Sequence, residues 1–332
     1  MATVVRRTHI RPEASNRPAD VATRCSEAIA ALQARASAAA RAGMTRFAIP
    51  NDKALGVGMR DIQSLARSLG RDHALAEALW RSDVYEARML ACYVAEPARV
   101  DAAQMDRWVA GIDNWAHCDT VCFALFVRSP LAWEAIERWA RRDEEFVRRG
   151  AFALLASLSL HDRSSADAPF LHGLALIEAA AEDERNFVKK AVNWALRSLG
   201  RRNATLHAAA VAVARRLAAA RATTPRWIGK DALRELTSAA VFARLAAKAK
   251  ATAKGRRTDM ATPAAKARSA DTTEPTAKTA TTKAAAAKAA MQKVGAKKIV
   301  AKKAAAKKGG TKKVAAAKVS PARPGATKAV TK

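Results

Sequence analysis

From Ser26 to Phe242 the apolar residues recur three and four positions apart. Ile62, Leu65, Ala66 and Leu69 form one such stripe, and Val188, Ala191, Val192, Ala195 and Leu196 form another. A period of 3.6 places these positions on one face of an α-helix. No stretch alternates with the two-residue period of a half-buried strand. Turn signals interrupt the pattern at Pro50-Asn51-Asp52, Gly70, Pro97, Ser129-Pro130, Ser164-Ser165, Gly200 and Thr223-Thr224-Pro225. The chain is therefore expected to be all-α, with helices of about 8–20 residues.

The helices also repeat. Phe146-Val147-Arg148-Arg149-Gly150-Ala151 aligns with Phe187-Val188-Lys189-Lys190-Ala191-Val192 at an offset of 41 residues, and the match continues to Ser157-Leu158 and Ser198-Leu199. A helical chain repeating at about 40 residues predicts HEAT-like helix pairs stacked into a solenoid. Such a solenoid has a concave face suited to a cylinder such as duplex DNA. An irregular helical bundle with one chance repeat is the competing expectation.

The two ends read differently from this body. Residues 1–24 are polar, contain Pro12 and Pro18, and predict a flexible arm. The body is expected over residues 25–245. From residue 246 to 332 there are 23 Lys and Arg against three acids, a net +20 of the chain's +29. No aromatic residue follows Phe242. Such a segment cannot bury enough apolar surface to offset its ordering entropy, so a disordered Lys/Ala-rich tail is predicted. Its composition resembles a linker-histone tail and suits phosphate neutralisation without sequence reading.

Charge and composition narrow the function. No run of about 18 apolar residues predicts a membrane span. The N-terminal residues have no apolar core of the kind a secretory signal needs. Four cysteines in 332 residues make no disulfide framework. These features predict a cytoplasmic, nucleoid-associated monomer whose partner is duplex DNA, held mainly through phosphates.

Several residues invite chemistry. Trp115 and Asp119 lie four apart, on one face of a helix capped by Asp113 or Asn114. An aromatic face and a carboxylate together can hold a developing cation. Spacing alone favours a plainer pair, a core tryptophan and an exposed or capping aspartate. Arg148-Arg149 and Lys189-Lys190 occupy equivalent repeat positions, and Arg141-Arg142 and Arg201-Arg202 are expected at helix ends. On one face they would make a phosphate-binding stripe; otherwise they are solvated and paired with Asp143, Glu144, Glu145, Asp183 and Glu184. Trp194 follows Lys190 by four and is equally a core residue by spacing. His117, Cys118 and Cys122 lack the paired ligand motifs of a zinc site, so no metal is expected.

Four stretches together resemble the AlkD-like DNA alkylation repair glycosylases. The first runs from Gly56-Val57-Gly58-Met59-Arg60-Asp61-Ile62 through Leu75–Ser82 to Tyr85-Glu86-Ala87-Arg88. The second is Asn114-Trp115 through Asp119. The third is Phe146–Ala151, and the fourth joins Asp183-Glu184 to Phe187–Arg197. Their order and spacing over about 55–200 match the family. The resemblance implies HEAT-like repeats holding duplex DNA in a basic groove, and release of N3- and N7-alkylated purines without a deep base pocket. It gives Asp119 as the catalytic carboxylate, with Trp115 and Trp194 packing on the deoxyribose. Arg149 matches a backbone-contacting arginine, with Arg148 the candidate if the alignment slips by one. Lys189, Lys190, Arg141, Arg142, Arg197, Arg201 and Arg202 are the further expected DNA contacts. No cofactor is implied. The family often carries a second acid directly after the Trp, where this chain has Ala116.

The expected activity is a monofunctional DNA glycosylase. The alternatives are a non-catalytic protein that binds damaged or branched DNA by shape, and a helical scaffold whose tail alone touches DNA.

Overall fold

The computed structural model describes residues 17–260, which contain fourteen α-helices, three short 3-10 turns and no strand. The helices are α1 (Pro18–Gln33), α2 (Ala38–Ala42), α3 (Met59–Leu69), α4 (His73–Arg81), α5 (Tyr85–Val94), α6 (Ala102–Ala110) and α7 (Trp115–Ala124). They continue as α8 (Ala132–Ala140), α9 (Glu145–His161), α10 (Asp167–Ala179), α11 (Asn186–Leu199), α12 (Ala204–Ala219), α13 (Thr223–Leu236) and α14 (Ala239–Met260).

Contacts between helices sort them into two rows. α3, α5, α7, α9, α11 and α13 each pack on the next. The other row contains the contacts α1 with α4, α6 with α8, and α10 with α12. Hairpin partners α4–α5, α8–α9, α10–α11 and α12–α13 join the rows. This is the stacking of a HEAT-like solenoid, in which each pair buries its apolar stripe against its neighbours. The 41-residue repeat becomes a physical contact: the rings of Phe146 and Phe187, equivalent in the two repeats, lie 5.3 Å apart.

α9 is the central element. It touches α6, α7, α8, α10 and α11, and Val147 and every residue from Arg149 to Ser159 are buried. A helix covered on all sides needs small residues where neighbours approach closely. Gly150, Ala151, Ala153 and Ala156 supply them. Cys118 and Cys122 of α7 point their thiols at the carbonyls of Phe146 and Gly150, 3.7 and 3.6 Å away, along the α7–α9 seam.

Two boundaries differ from the sequence expectation. The helices begin at Pro18, inside the arm predicted to reach residue 24, because Pro18 opens α1 rather than breaking it. Proline at a first helical turn loses no hydrogen bond and brings a helical φ. At the other end α14 continues past residue 245 to Met260, as the helix propensity of Ala and Lys favours. The rest of the predicted arm and tail, residues 1–16 and 261–332, lies outside the described residues. Among the described residues no helix is long and apolar enough to cross a membrane.

Candidate nucleic-acid interface

The first turns of α7, α9 and α11 build the site. Asn114 caps α7, its side-chain oxygen accepting from the N–H groups of Ala116 and His117 at 3.1 and 3.0 Å. This cap starts the helix at Trp115 and sets its face. His117 then locks the helix to α5. Its Nε2–H donates to the Tyr85 carbonyl at 2.9 Å, and its Nδ1 faces Asn114 Nδ2 at 2.8 Å. Burial holds this imidazole down at about 4, so it stays neutral. It is a structural residue, and among the described residues no three His, Cys, Asp or Glu side chains gather as a metal site.

One turn along, the Asp119 carboxylate meets Arg149 of α9. Arg149 donates from Nη2 to both carboxylate oxygens at 2.7 and 2.9 Å, and from Nε to Oδ1 at 3.2 Å. Its Nη1 donates to the Phe187 carbonyl of α11 at 2.8 Å. One guanidinium thus ties three successive helices of the row. The Arg149 side chain is 7 % exposed and that of Asp119 26 %, so the aspartate is the more exposed partner of the pair. Burial pushes the Asp119 carboxyl above its ordinary value, and Arg149 pulls against that rise. Burial also works against the charge on Arg149, but the neighbouring groups, Asp119 foremost, together raise it above its ordinary value.

Beside this pair lies a cleft of about 520 Å³ lined by Trp115, Arg149, Asn186, Phe187, Lys190 and the segment Thr45-Arg46-Phe47-Ala48. The Trp115 indole N–H donates to the Phe47 carbonyl at 2.8 Å. Ala48 adopts a left-handed conformation, φ 54°, which ends the 3-10 turn of residues 44–47. The Phe47 ring is left 53 % exposed at the cleft, with the Arg46 guanidinium 5.8 Å from its centre.

A sequence model of the family described as DNA alkylation repair enzyme matches residues 28–236, well over half the chain. The chain belongs to that family. Among solved structures it is similar to one described as a new family of proteins related to the HEAT-like repeat DNA glycosylases with affinity for branched DNA structures. The TM-score is 0.52 at 19 % identity, covering 57 % of this chain and 81 % of that one. Comparison with curated protein sequences gives no significant match.

Within this member of the DNA alkylation repair family, the expected site residues separate. Trp115, Arg149 and Lys190 line the cleft, and Asp119 is joined to it through its ion pair with Arg149. Trp194, one turn after Lys190, stacks on Phe123, one turn after Asp119 on α7, with ring centres 5.5 Å apart and planes 5° from parallel; it does not line the cleft. Lys189 is half-buried beside Lys190, and Arg141 is exposed at the end of α8.

The remaining arginines are paired within the chain, Arg142 at the surface and the others between helices. Arg148 pairs with Asp183 at 3.0 Å, so of the two adjacent arginines it is Arg149 that meets Asp119. Arg142 pairs with Glu144 next to it. Arg197 and Arg201 share Glu235 of α13, at 2.6 and 2.5 Å. Arg202 donates to the carbonyls of Ser159, Asp162 and Ser165 and lies 4.0 Å from the Phe170 ring centre, fastening the α9–α10 turn. These five do not line the cleft; of the predicted stripe, Arg149 and Lys190 do.

The first family-like stretch has a structural explanation. The Glu86 carboxylate is fully buried and accepts from the N–H groups of Leu55, Gly56 and Val57 at 2.8, 2.7 and 3.1 Å. Gly56 has φ +83°, and a Cβ there would fall 2.2 Å from the Ser37 carbonyl oxygen. Only glycine fits both demands. The loop so fixed connects the Phe47 segment to α3.

Proposed function

We propose that this chain is a monofunctional N-glycosylase releasing N3- and N7-alkylated purines from duplex DNA. The observation that carries the reading is the Asp119 side chain, held by Arg149 and one helical turn from Trp115, beside a cleft that Trp115, Phe47, Arg149 and Lys190 line. An alkylated purine already bears a positive charge, so its C1′–N bond breaks with the electron pair leaving on the neutral base. The sugar becomes oxocarbenium-like. Asp119 stabilises that cation and orients the water that adds to C1′, whose proton passes to solvent. The bidentate contact from Arg149 opposes protonation of the carboxylate and keeps it aimed. Trp115 packs against the sugar, and Phe47 forms the facing aromatic wall. Lys189 and Lys190 hold the adjacent phosphates. No metal or organic cofactor enters this reaction, because the leaving group carries its own activation.

The test is base release from a duplex containing N7-methylguanine, with abasic sites revealed by alkali. Wild type releases the base and Asp119→Asn does not, while both bind the duplex equally. Activity retained by Asp119→Asn removes the carboxylate from the mechanism.

A second reading is a non-catalytic protein that binds branched DNA by shape. Ala116, where the resemblance leads one to expect a second acid, favours it, as does the branched-DNA affinity ascribed to the similar solved structure. No base release by either protein, with a four-way junction bound more tightly than a linear duplex, establishes this reading instead. Under both, the basic residues beyond 260 raise the local concentration of DNA and the chain works as a monomer in the cytoplasm, at the nucleoid.

A further inference from the structure

α11 and α13 are held in register by two ties. Asn193 Nδ2 donates to Asp231 Oδ2 at 2.8 Å, and Arg197 Nη1 donates to Glu235 Oε2 at 2.6 Å. Both join residues thirty-eight apart. One turn before Asn193 stand Lys189 and Lys190, and one turn before Asp231 stands Trp227. The same register therefore sets Trp227 level with Lys189, next to Lys190, on the row that carries Asp119 and Arg149.

Trp227 is 44 % exposed, whereas the other six tryptophans are buried or half-buried. Its direction is fixed by a close helix contact. Two residues on, Gly229 lies directly on the backbone of α12: a Cβ there would sit 2.2 Å from the Ala218 nitrogen and 2.5 Å from the Ala214 oxygen. Two residues rotate a helix by about 200°, so Trp227 faces away from α12. Lys230, three residues on, is exposed on the side of α13 that carries Trp227. An indole in water amid cations, on a rigid helix, has the composition that nucleic-acid surfaces use to hold strands: aromatic packing with phosphate pairing.

We propose that Trp227, with Lys189 and Lys190, is an outer DNA contact that packs on the sugar-phosphate strand beyond the lesion. It rests on the reading that this row faces DNA, whether or not the chain is catalytic. Three helix steps of 8–10 Å separate α7 from α13, roughly 24–30 Å. At about 3.4 Å per base pair, the contact falls some seven to nine base pairs from the damaged nucleotide.

The test compares the full chain, Trp227→Ala and Trp227→Phe on duplexes with a central tetrahydrofuran abasic site, which is not turned over. One duplex extends about twelve base pairs on each side and the other about five, short of the proposed contact. Trp227→Ala weakens binding of the long duplex roughly tenfold and leaves the short one unchanged. Trp227→Phe restores the long duplex to within about threefold of wild type, since a phenyl ring also packs on the strand. Equal affinity of wild type and Trp227→Ala for the long duplex overturns the proposal. Equal losses on both duplexes overturn it too, because they mark a general defect. Wild type binding neither duplex removes the DNA reading and this contact with it, whereas the first two outcomes leave the DNA reading standing.

Discussion

His117 illustrates how one side chain carries the geometry of the site. Its sequence neighbourhood, with Cys118 and Cys122 close by, invites a metal. The structure spends both ring nitrogens on Tyr85 and Asn114, and so on the start of the helix that presents Trp115 and Asp119. The consequence is a pH dependence of stability. The folded imidazole is held at about 4, against an ordinary 6.5 in the unfolded chain. As pH falls through that interval the unfolded chain takes up a proton that the folded chain refuses. Stability is therefore complete above about 6.5 and lost progressively toward about 4, by roughly 3 kcal/mol. His117→Gln is expected to be less stable than wild type at neutral pH and to lack this loss. The gap between the two proteins in urea unfolding should close by that amount as pH drops, and a gap that stays constant rules out His117 as the source. Spacing gave Asp119 and Trp115 as one helix face, which the structure bears out. It could not choose between Arg148 and Arg149, which point about 100° apart on one helix. Only the partner thirty residues away decides. Phe47 carries no sequence signal at all: it lies in a 3-10 turn without periodicity, and its link to Trp115 spans 68 residues.

At the scale of elements, the helices were legible because each buries a stripe, and a stripe has a period. The repeat was legible because Phe146 and Phe187 touch. The ends were misjudged for a local reason: Pro18 and an Ala/Lys run are compatible with either a helix or a coil. The Gly56–Gly58 loop was legible only as a family-like motif. Its cause is Glu86, about thirty residues later, which supplies the acceptors for three backbone N–H groups that would otherwise be stranded. Replacing Glu86 by Gln puts an amide N–H against one of those donors and removes the charge. We expect a loss of about 2–3 kcal/mol in chemical denaturation. The loop should open first, with faster hydrogen exchange at Leu55, Gly56 and Val57 than in α9. Because this loop connects the Phe47 segment to α3, the same variant should also weaken duplex binding. Unchanged exchange at those three amides would show that the carboxylate does not hold the loop.

The whole molecule divides its charge between two jobs. Within the helical rows most arginines are consumed by ion pairs and carbonyl contacts that fasten one repeat to the next, as Arg148, Arg197, Arg201 and Arg202 do. At the cleft itself the cations are Arg149, shared with Asp119, together with Arg46 and Lys190. The residues beyond 260 hold most of the excess positive charge and only two acids. This partition predicts that geometry and electrostatic attraction can be separated by truncation. A chain ending at residue 260 should keep base release at saturating DNA, since Asp119, Trp115 and Arg149 are intact. Its affinity should fall mainly at low salt, because the lost term is counterion release. Even six to ten phosphate contacts imply roughly a 10³–10⁵ change in affinity between about 50 and 200 mM salt. The truncated chain should therefore show a markedly flatter plot of log affinity against log salt, with the two lines converging at high salt. Parallel lines would mean that the C-terminal residues add nothing to DNA binding, and that the cations of the cleft and of α11 hold the duplex alone.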